Sequence, residues 1–310
     1  MVLVFTADEM LYSGLKVAGY STKKVNASSY ANNNYRFRCF FGVLPLVAAN
    51  VFYDLQTTMC AEAKVPTNSV NAKHFLMALH HLKCYPTEIE REPMFDISPS
   101  YGRDWCWYYI EKIQALKETK IVWDDGDEDL WILSVDGIHC WIQEPGHPTW
   151  SQDRTYFSHK YAKAGLGYEL ALSLKRNQLI WMRGPYKAGR NDKTNFVEPN
   201  GLRDKLVSIG KKGLGDQGYV GHEHCLSTPN PHDSVEVKRF KSRAMMRHET
   251  FNGMIKQFKC LNGRFRHSID RFKSCFEAVA VLCQYQIESD RPLFDILLPN
   301  MNYSRRRMMN

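Results

Sequence analysis

No CxxC pair occurs in this chain, although it carries nine cysteines, at positions 39, 60, 84, 106, 140, 225, 260, 275 and 283. An odd, scattered set without paired spacing argues against a disulfide framework and against a four-cysteine zinc site. The thiols are therefore expected to be reduced, mostly buried and intracellular. Long apolar runs are also lacking. The longest uncharged stretch, CFFGVLPLVAANVFY from Cys39 to Tyr53, is interrupted by Pro45 and Asn50. It is shorter than the roughly 20 apolar residues a spanning helix needs, so no membrane association is expected. The opening MVLVFTADEM has neither a basic region nor a long apolar one, and no signal peptide is expected from it. No internal repeat, collagen-like period or heptad pattern is present.

Acidic charge is scarce in one place. In RHETFNGMIKQFKCLNGRFRH, residues 247–267, Arg247, Lys256, Lys259, Arg264 and Arg266 accompany only one acid, Glu249. Elsewhere Asp and Glu are common, 33 in all against 41 Lys and Arg, for a net charge of +8. Such a moderate basic bias favours an anionic partner, and a basic enzyme with a small anionic substrate fits it equally. The 310 residues, 44% hydrophobic, suffice for one large domain or two smaller ones.

Residues 1–36 are polar toward their end (STKKVNASSYANNNY) and are expected to form a flexible N-terminal arm. Residues 37–119 read as a small helical domain. VLPLVAANVFYDLQ, NAKHFLMALHHL and RDWCWYYIEKIQAL carry apolar residues at three- and four-residue spacing, and KVPTNS, YPTE and ISPSYG separate them. The order is compatible with a helix-turn-helix that binds DNA or a partner, as it is with any small helical domain. From about residue 120 to 298 the pattern changes to strands. Leu130–Ile142, GYELALSLKRN and QLIWMRGP, the last two turning around Arg176 and Asn177, are followed by a helix at LRDKLVSIG and the short LGDQGYVG. SIDRFKSCFEAVAVLCQYQI closes this domain as an amphipathic helix. The fold class is thus α/β, a mixed sheet flanked by helices behind a helical domain. Residues 299–310, with SRRRMMN, form a basic tail that reads as a solvated end or as a nuclear address.

Three acids stand where chemistry can use them. Asp136 ends a predicted buried strand, where an unpartnered acid is costly. Asp216 sits in GLGDQGYVG, open between glycines. On a helix through MMRHETFNGMIKQF, Phe251, Met254, Ile255, Phe258 and Leu261 form one stripe, and Glu249, Asn252, Gly253 and Lys256 the opposite face. Three carboxylates brought together repel unless cations neutralise them, and Mg²⁺ or Mn²⁺ suits oxygen ligands. Two ions about 4 Å apart can activate an attacking oxygen and stabilise the leaving oxygen of a phosphodiester. Neighbouring bases would hold the polyanion. By spacing alone a strand-end acid, a turn acid and a helix acid are ordinary structural features too.

Several segments resemble the Harbinger-type (PIF) DDE transposases and their domesticated nuclease relatives. SVDGIHCWIQEPG is similar to that family's first-Asp strand, SHKYAKAGLGYELALSL and IWMRGPYKAGRNDKTNF to the following strands and Gly-Pro turn, and GLGDQGYVG to its second-Asp motif. RHETFNGMIKQFKCLNGRFRH is similar to its Glu helix, and FFGVLPLVAANVFYDL and HFLMALHHLKCYPTE to the preceding helical region. The resemblance spans residues 37–298. It implies an RNase H-like nuclease domain with catalytic, metal-holding Asp136, Asp216 and Glu249, and two Mg²⁺ or Mn²⁺ ions. It also implies cleavage of double-stranded DNA at transposon ends, strand transfer by a 3′-hydroxyl, a Myb-like DNA-binding partner and a nuclear location. A homo-oligomer is a further expectation. Glu249 and Lys256 give half of an E-x6-K signature of related bacterial transposases, whereas Ser242 and Met245 replace the Tyr and Arg of its other half.

Candidate DNA contacts are His139, Arg183, Lys187, Arg190, Lys238, Arg239, Lys241, Arg243, Arg247, Asn252 and Lys256. Each has an ordinary alternative as a packed or solvated side chain. Trp181, Tyr186 and Tyr219 could stack on bases or simply pack. GHEHC (221–225) offers two His and a Cys, but no second pair at zinc spacing. DDGDED (124–129) lacks calcium-loop spacing and reads as an exposed turn. Two further readings compete with the nuclease: a non-catalytic DNA-binding or adaptor protein that keeps the fold, and a hydrolase using two carboxylates on a small substrate. The last leaves the basic segments without a role.

Overall fold

The computed structural model describes residues 5–20, 27–60, 71–125, 129–143, 153–158 and 161–299. The basic tail and part of the acidic run lie outside these. In chain order the elements are α1 (Ala7–Val17), α2 (Ala27–Phe41), α3 (Pro45–Cys60), α4 (Ala72–Cys84), α5 (Glu88–Phe95), α6 (Pro99–Ala115) and α7 (Lys117–Lys120). Then come β1 (Trp131–Trp141), β2 (Phe157–Ser158), β3 (Lys163–Ser173), β4 (Leu179–Lys187), α8 (Asp192–Phe196), α9 (Leu202–Ile209), β5 (Lys212–Leu214) and β6 (Leu226–Ser227). The chain continues through α10 (Val235–Ile255), α11 (Lys259–Asn262) and α12 (Ile269–Ser289). It divides into two units. One holds residues 1–121, 140–145 and 253–292, the other 122–139, 146–252 and 293–310, so the divisions fall within β1 and α10.

The first unit is helical. Its opening departs from the expected flexible arm: α1 is capped by Thr6, whose side chain accepts from Glu9 N while the Glu9 carboxylate accepts from Thr6 N. That capping box satisfies end groups that water would otherwise claim. Met10, Leu11 and Leu15 then bury one stripe of the helix. At the tight turn from α2 to α3, Gly42 adopts φ +82° and packs under the Phe258 ring, 2.4 Å from where a Cβ would stand. α12 corrects the second expectation. It belongs to this unit rather than to the sheet domain, and it packs on α3, α6, α7 and α11. It is buried almost all round from Phe272 to Ile287, as a central helix is, rather than along one stripe. Its buried Glu277 carboxylate accepts from Lys117 Nζ at 2.7 Å and Gln114 Nε2 at 2.8 Å. The described cysteines are free, six of them buried, one intermediate and one exposed.

The second unit is built on the mixed six-stranded sheet. β3 pairs β4 antiparallel over Leu166–Leu172 and takes the short β2 at its start. β3 lies beside β1, which pairs β5 in parallel, and β5 pairs β6 in parallel. Leu174 N donates to Ile132 O while Gly167 lies against Ile138 and His139, so β1 and β3 run antiparallel. The order is β4-β3-β1-β5-β6, with β1 at the centre. A central strand buried on both faces explains the continuous WILSV run. On one face Leu133, Val135 and Ile180 pack with Phe196 of α8 and Leu202 and Leu206 of α9. Elsewhere Leu174 and Leu214 pack with Phe240 and Ala244 of α10. The sheet is therefore flanked by helices, the α/β arrangement that the strand-then-helix pattern implies. Among the described residues no single helix is long and apolar enough to cross a membrane; Ser29–Phe41 and Pro45–Thr58 reach that length only as a pair bent by 53°.

Candidate active site

The three acids named by the sequence lie in the second unit, each on a different kind of element. Asp136 is on the central strand, β1. Its Oδ1 accepts from Gly137 N at 2.8 Å and its Oδ2 from Asn252 Nδ2 at 3.0 Å. Asp216 follows β5 as the cap of a single 3-10 turn, Gln217–Tyr219, and its Oδ1 accepts from Gly218 N at 2.8 Å. A Cβ at residue 218 would stand 3.0 Å from that oxygen, which is why glycine suits the turn. Glu249 is exposed on α10. Asp216 and Glu249 both line a cavity of about 1020 Å³, together with Lys238, Lys241, Met245 and Met246 of α10.

Burial pushes the Asp136 carboxyl up to about 7, and the negative fields of Glu249, Asp216 and Asp192 add to the rise against the Gly137 N–H. The other two acids of the set are thus both felt at the first. Among the described residues no three His, Cys, Asp or Glu side chains stand together as a ready metal cluster. Asn252 Oδ1, buried beside Asp136, has no hydrogen-bond partner.

Two further acids escape a reading by spacing. Asp192, at the start of α8, lies against Gly137, with Oδ1 2.4 Å from where a Cβ would be, and 3.7 Å from His139 Nε2. Glu169 of β3 is 1% exposed, accepts from Trp181 Nε1 at 2.9 Å, and leaves Oε2 unpaired. Burial pushes its carboxyl up to about 7. The signal for Glu169 was available, because it is a lone acid in the apolar run GYELALSL. Asp192 gave none, since only the tertiary fold brings α8 to β1.

The basic candidates are placed differently from the acids. Arg247 is 2% exposed and donates to the carbonyl oxygens of Ser173, Arg176 and Phe294, so it is a structural arginine and not a DNA contact. Lys241 is likewise buried, bridging Thr228 O and Asp233 Oδ2 at 2.7 Å each. Arg183 and Arg190 both pair with Glu198, and Lys187 pairs with Asp153. Lys238 donates to Pro231 O, and exposed Arg243 reaches Asp295 O; Arg239 is exposed. Lys256, in the helical unit, donates to Cys140 Sγ and Leu261 O. Tyr219 is buried in the core, Trp181 packs on Trp123, and Tyr186 donates to Glu198, so these rings do not form an open stacking platform. In GHEHC, Cys225 is a core residue and His222 packs on Phe196. The described ends of the acidic run are paired, Asp124 with Arg176 and Asp129 with Lys175.

No protein-family model matches the chain, and no curated protein and no solved structure matches it.

Proposed function

We propose that the chain is a metal-dependent DNA endonuclease of the DDE type, acting on double-stranded DNA and joining strands as a transposase does. The observation that carries this reading is the setting of Asp136: a carboxylate on the central strand raised first by its burial, with the fields of Glu249 from a helix and Asp216 from the turn after β5 adding to the rise. A strand order with β1 at the centre, an antiparallel partner on one side and parallel partners on the other supports an RNase H-like domain. The donor set is all oxygen, and its repulsion calls for cations. The unpaired Asn252 Oδ1 leaves a further buried oxygen beside it. Asp136, Asp216 and Glu249 would hold Mg²⁺ or Mn²⁺, which supplies an activated attacking oxygen and charge stabilisation at the phosphorus. The chain's own part is to fix Asp136 through two donors, to carry Glu249 on a rigid helix, and to present the cavity along α10 for the nucleic acid. A nuclear location, a Myb-like partner and a homo-oligomer belong to the same reading.

A second reading has its own observation. Both Asp136 oxygens already have donors within the chain, and several basic side chains are turned to internal partners. A domesticated protein that binds DNA or an adaptor without cutting is consistent with that. Nicking of supercoiled plasmid in Mg²⁺ or Mn²⁺ separates the two. Wild-type nicking that EDTA, Asp136→Ala and Glu249→Gln each remove supports the nuclease. Nicking retained by Asp136→Ala overturns it, and salt-sensitive DNA binding without cutting supports the second reading.

A further inference from the structure

We infer that Asn252 is a positioning residue whose amide sets the orientation of Asp136 for cation binding, an inference that rests on the metal-dependent reading above. Asn252 lies three residues after Glu249 on α10, so one rigid helix carries both an acid of the site and the group that holds another acid. Its Nδ2 reaches Asp136 Oδ2 at 3.0 Å, and Gly137 N reaches the other oxygen at 2.8 Å. The backbone donor comes with the strand itself. It holds one oxygen but leaves the carboxylate plane free to turn about that contact. The amide from α10 removes that freedom and ties the β1 end of the site to the helix.

The burial of Asn252 separates this role from the DNA contact suggested by its place on the polar helix face. The side chain is 8% exposed, and its donor is already engaged. Its oxygen is buried without a partner, a cost that an Asn placed there for packing alone would not carry. An apolar residue of similar volume would fill the space without that cost. What it would lose is the donor to Asp136. Groups that orient metal-holding carboxylates in this way typically change metal affinity by 10–100-fold when removed.

The test is Mn²⁺ binding to the full chain, followed by electron paramagnetic resonance of free Mn²⁺, with Asn252→Leu and Asn252→Ala beside the wild type. Leucine keeps the volume, so circular dichroism and thermal unfolding should match the wild type while Mn²⁺ binds about 10–100-fold more weakly. Alanine should show the same weakening, which excludes a clash of the leucine as its cause. Wild-type affinity in both folded variants overturns the inference and leaves the metal reading standing. Absence of Mn²⁺ binding by the wild type overturns the metal reading, and this inference with it.

Discussion

The guanidinium of Arg247 donates to the carbonyl oxygen of Ser173 at 2.5 Å, and so joins α10 to the end of β3. It also reaches Arg176 O and Phe294 O, with burial lowering its own pKa to about 10. Removing it would strand three carbonyl oxygens at once. Arg247→Ala should therefore destabilise the protein by about 3 kcal/mol or more. Arg247→Lys, which cannot fork to several carbonyls, should recover only part of that loss. Urea unfolding of the variants measures both.

Asp216 offers a direct check on cation binding. Saturating Mn²⁺ should raise the unfolding temperature of the wild type, by the equivalent of about 2.7 kcal/mol at one hundred times the dissociation constant. Asp216→Asn keeps the turn, since its amide oxygen can still accept from Gly218 N, but lacks the charge. Its unfolding temperature should no longer respond to Mn²⁺. An undiminished response would remove Asp216 from the site.

Glu169 makes stability depend on pH. Its folded pKa, about 7, lies above its ordinary 4.5. Between those values the folded state binds more protons than the unfolded one, so stability falls as pH rises. The contribution is complete below pH 4.5, is lost on the way to about pH 7, and changes no further above. A shift of this size amounts to at most about 3 kcal/mol. Glu169→Gln, neutral throughout, should flatten that part of the stability profile measured between pH 4.5 and 8, leaving the share due to Asp136.

In the helical unit Lys117 neutralises the buried Glu277 carboxylate at 2.7 Å. Lys117→Met takes away the cation beside that charge, and should cost about 3 kcal/mol in chemical unfolding. Lys117→Met combined with Glu277→Gln should recover part of it, because the uncompensated charge is gone.

The central strand was legible in the sequence. The apolar run WILSV needs burial on both sides and so marks a central strand, but the carboxylate after it lies in the middle of β1 and not at the strand end its sequence suggested. The turn at Arg176 and Asn177 and the helix at LRDKLVSIG likewise follow from local chemistry. Arg247 and Lys241 were not legible, because nothing local distinguishes a lysine or arginine facing solvent from a lysine that meets a carbonyl 13 residues away or an arginine that meets one 74 residues away. The polar tract before residue 37 misled in the other direction. Its composition suggested disorder, while Thr6 and Glu9 already spelled a helix start. For α12, Glu277, Gln284 and Gln286 read as a polar face although all three are buried, and only its packing partners reveal which unit it serves.

That allegiance has a consequence for the order in which the chain can become itself. The central helix of the helical unit, α12, is encoded after every strand of the sheet unit. While the ribosome is still reading β1 to β6, the first seven helices exist without the helix that α3, α6 and α7 are shaped to enclose, and Lys117 waits without its carboxylate. The sheet unit lacks only its last segment, from Leu293 onward, when α10 emerges. What is written first thus waits for a late helix, and a nascent chain that stalls before residue 269 leaves an apolar slot open to any passing helix.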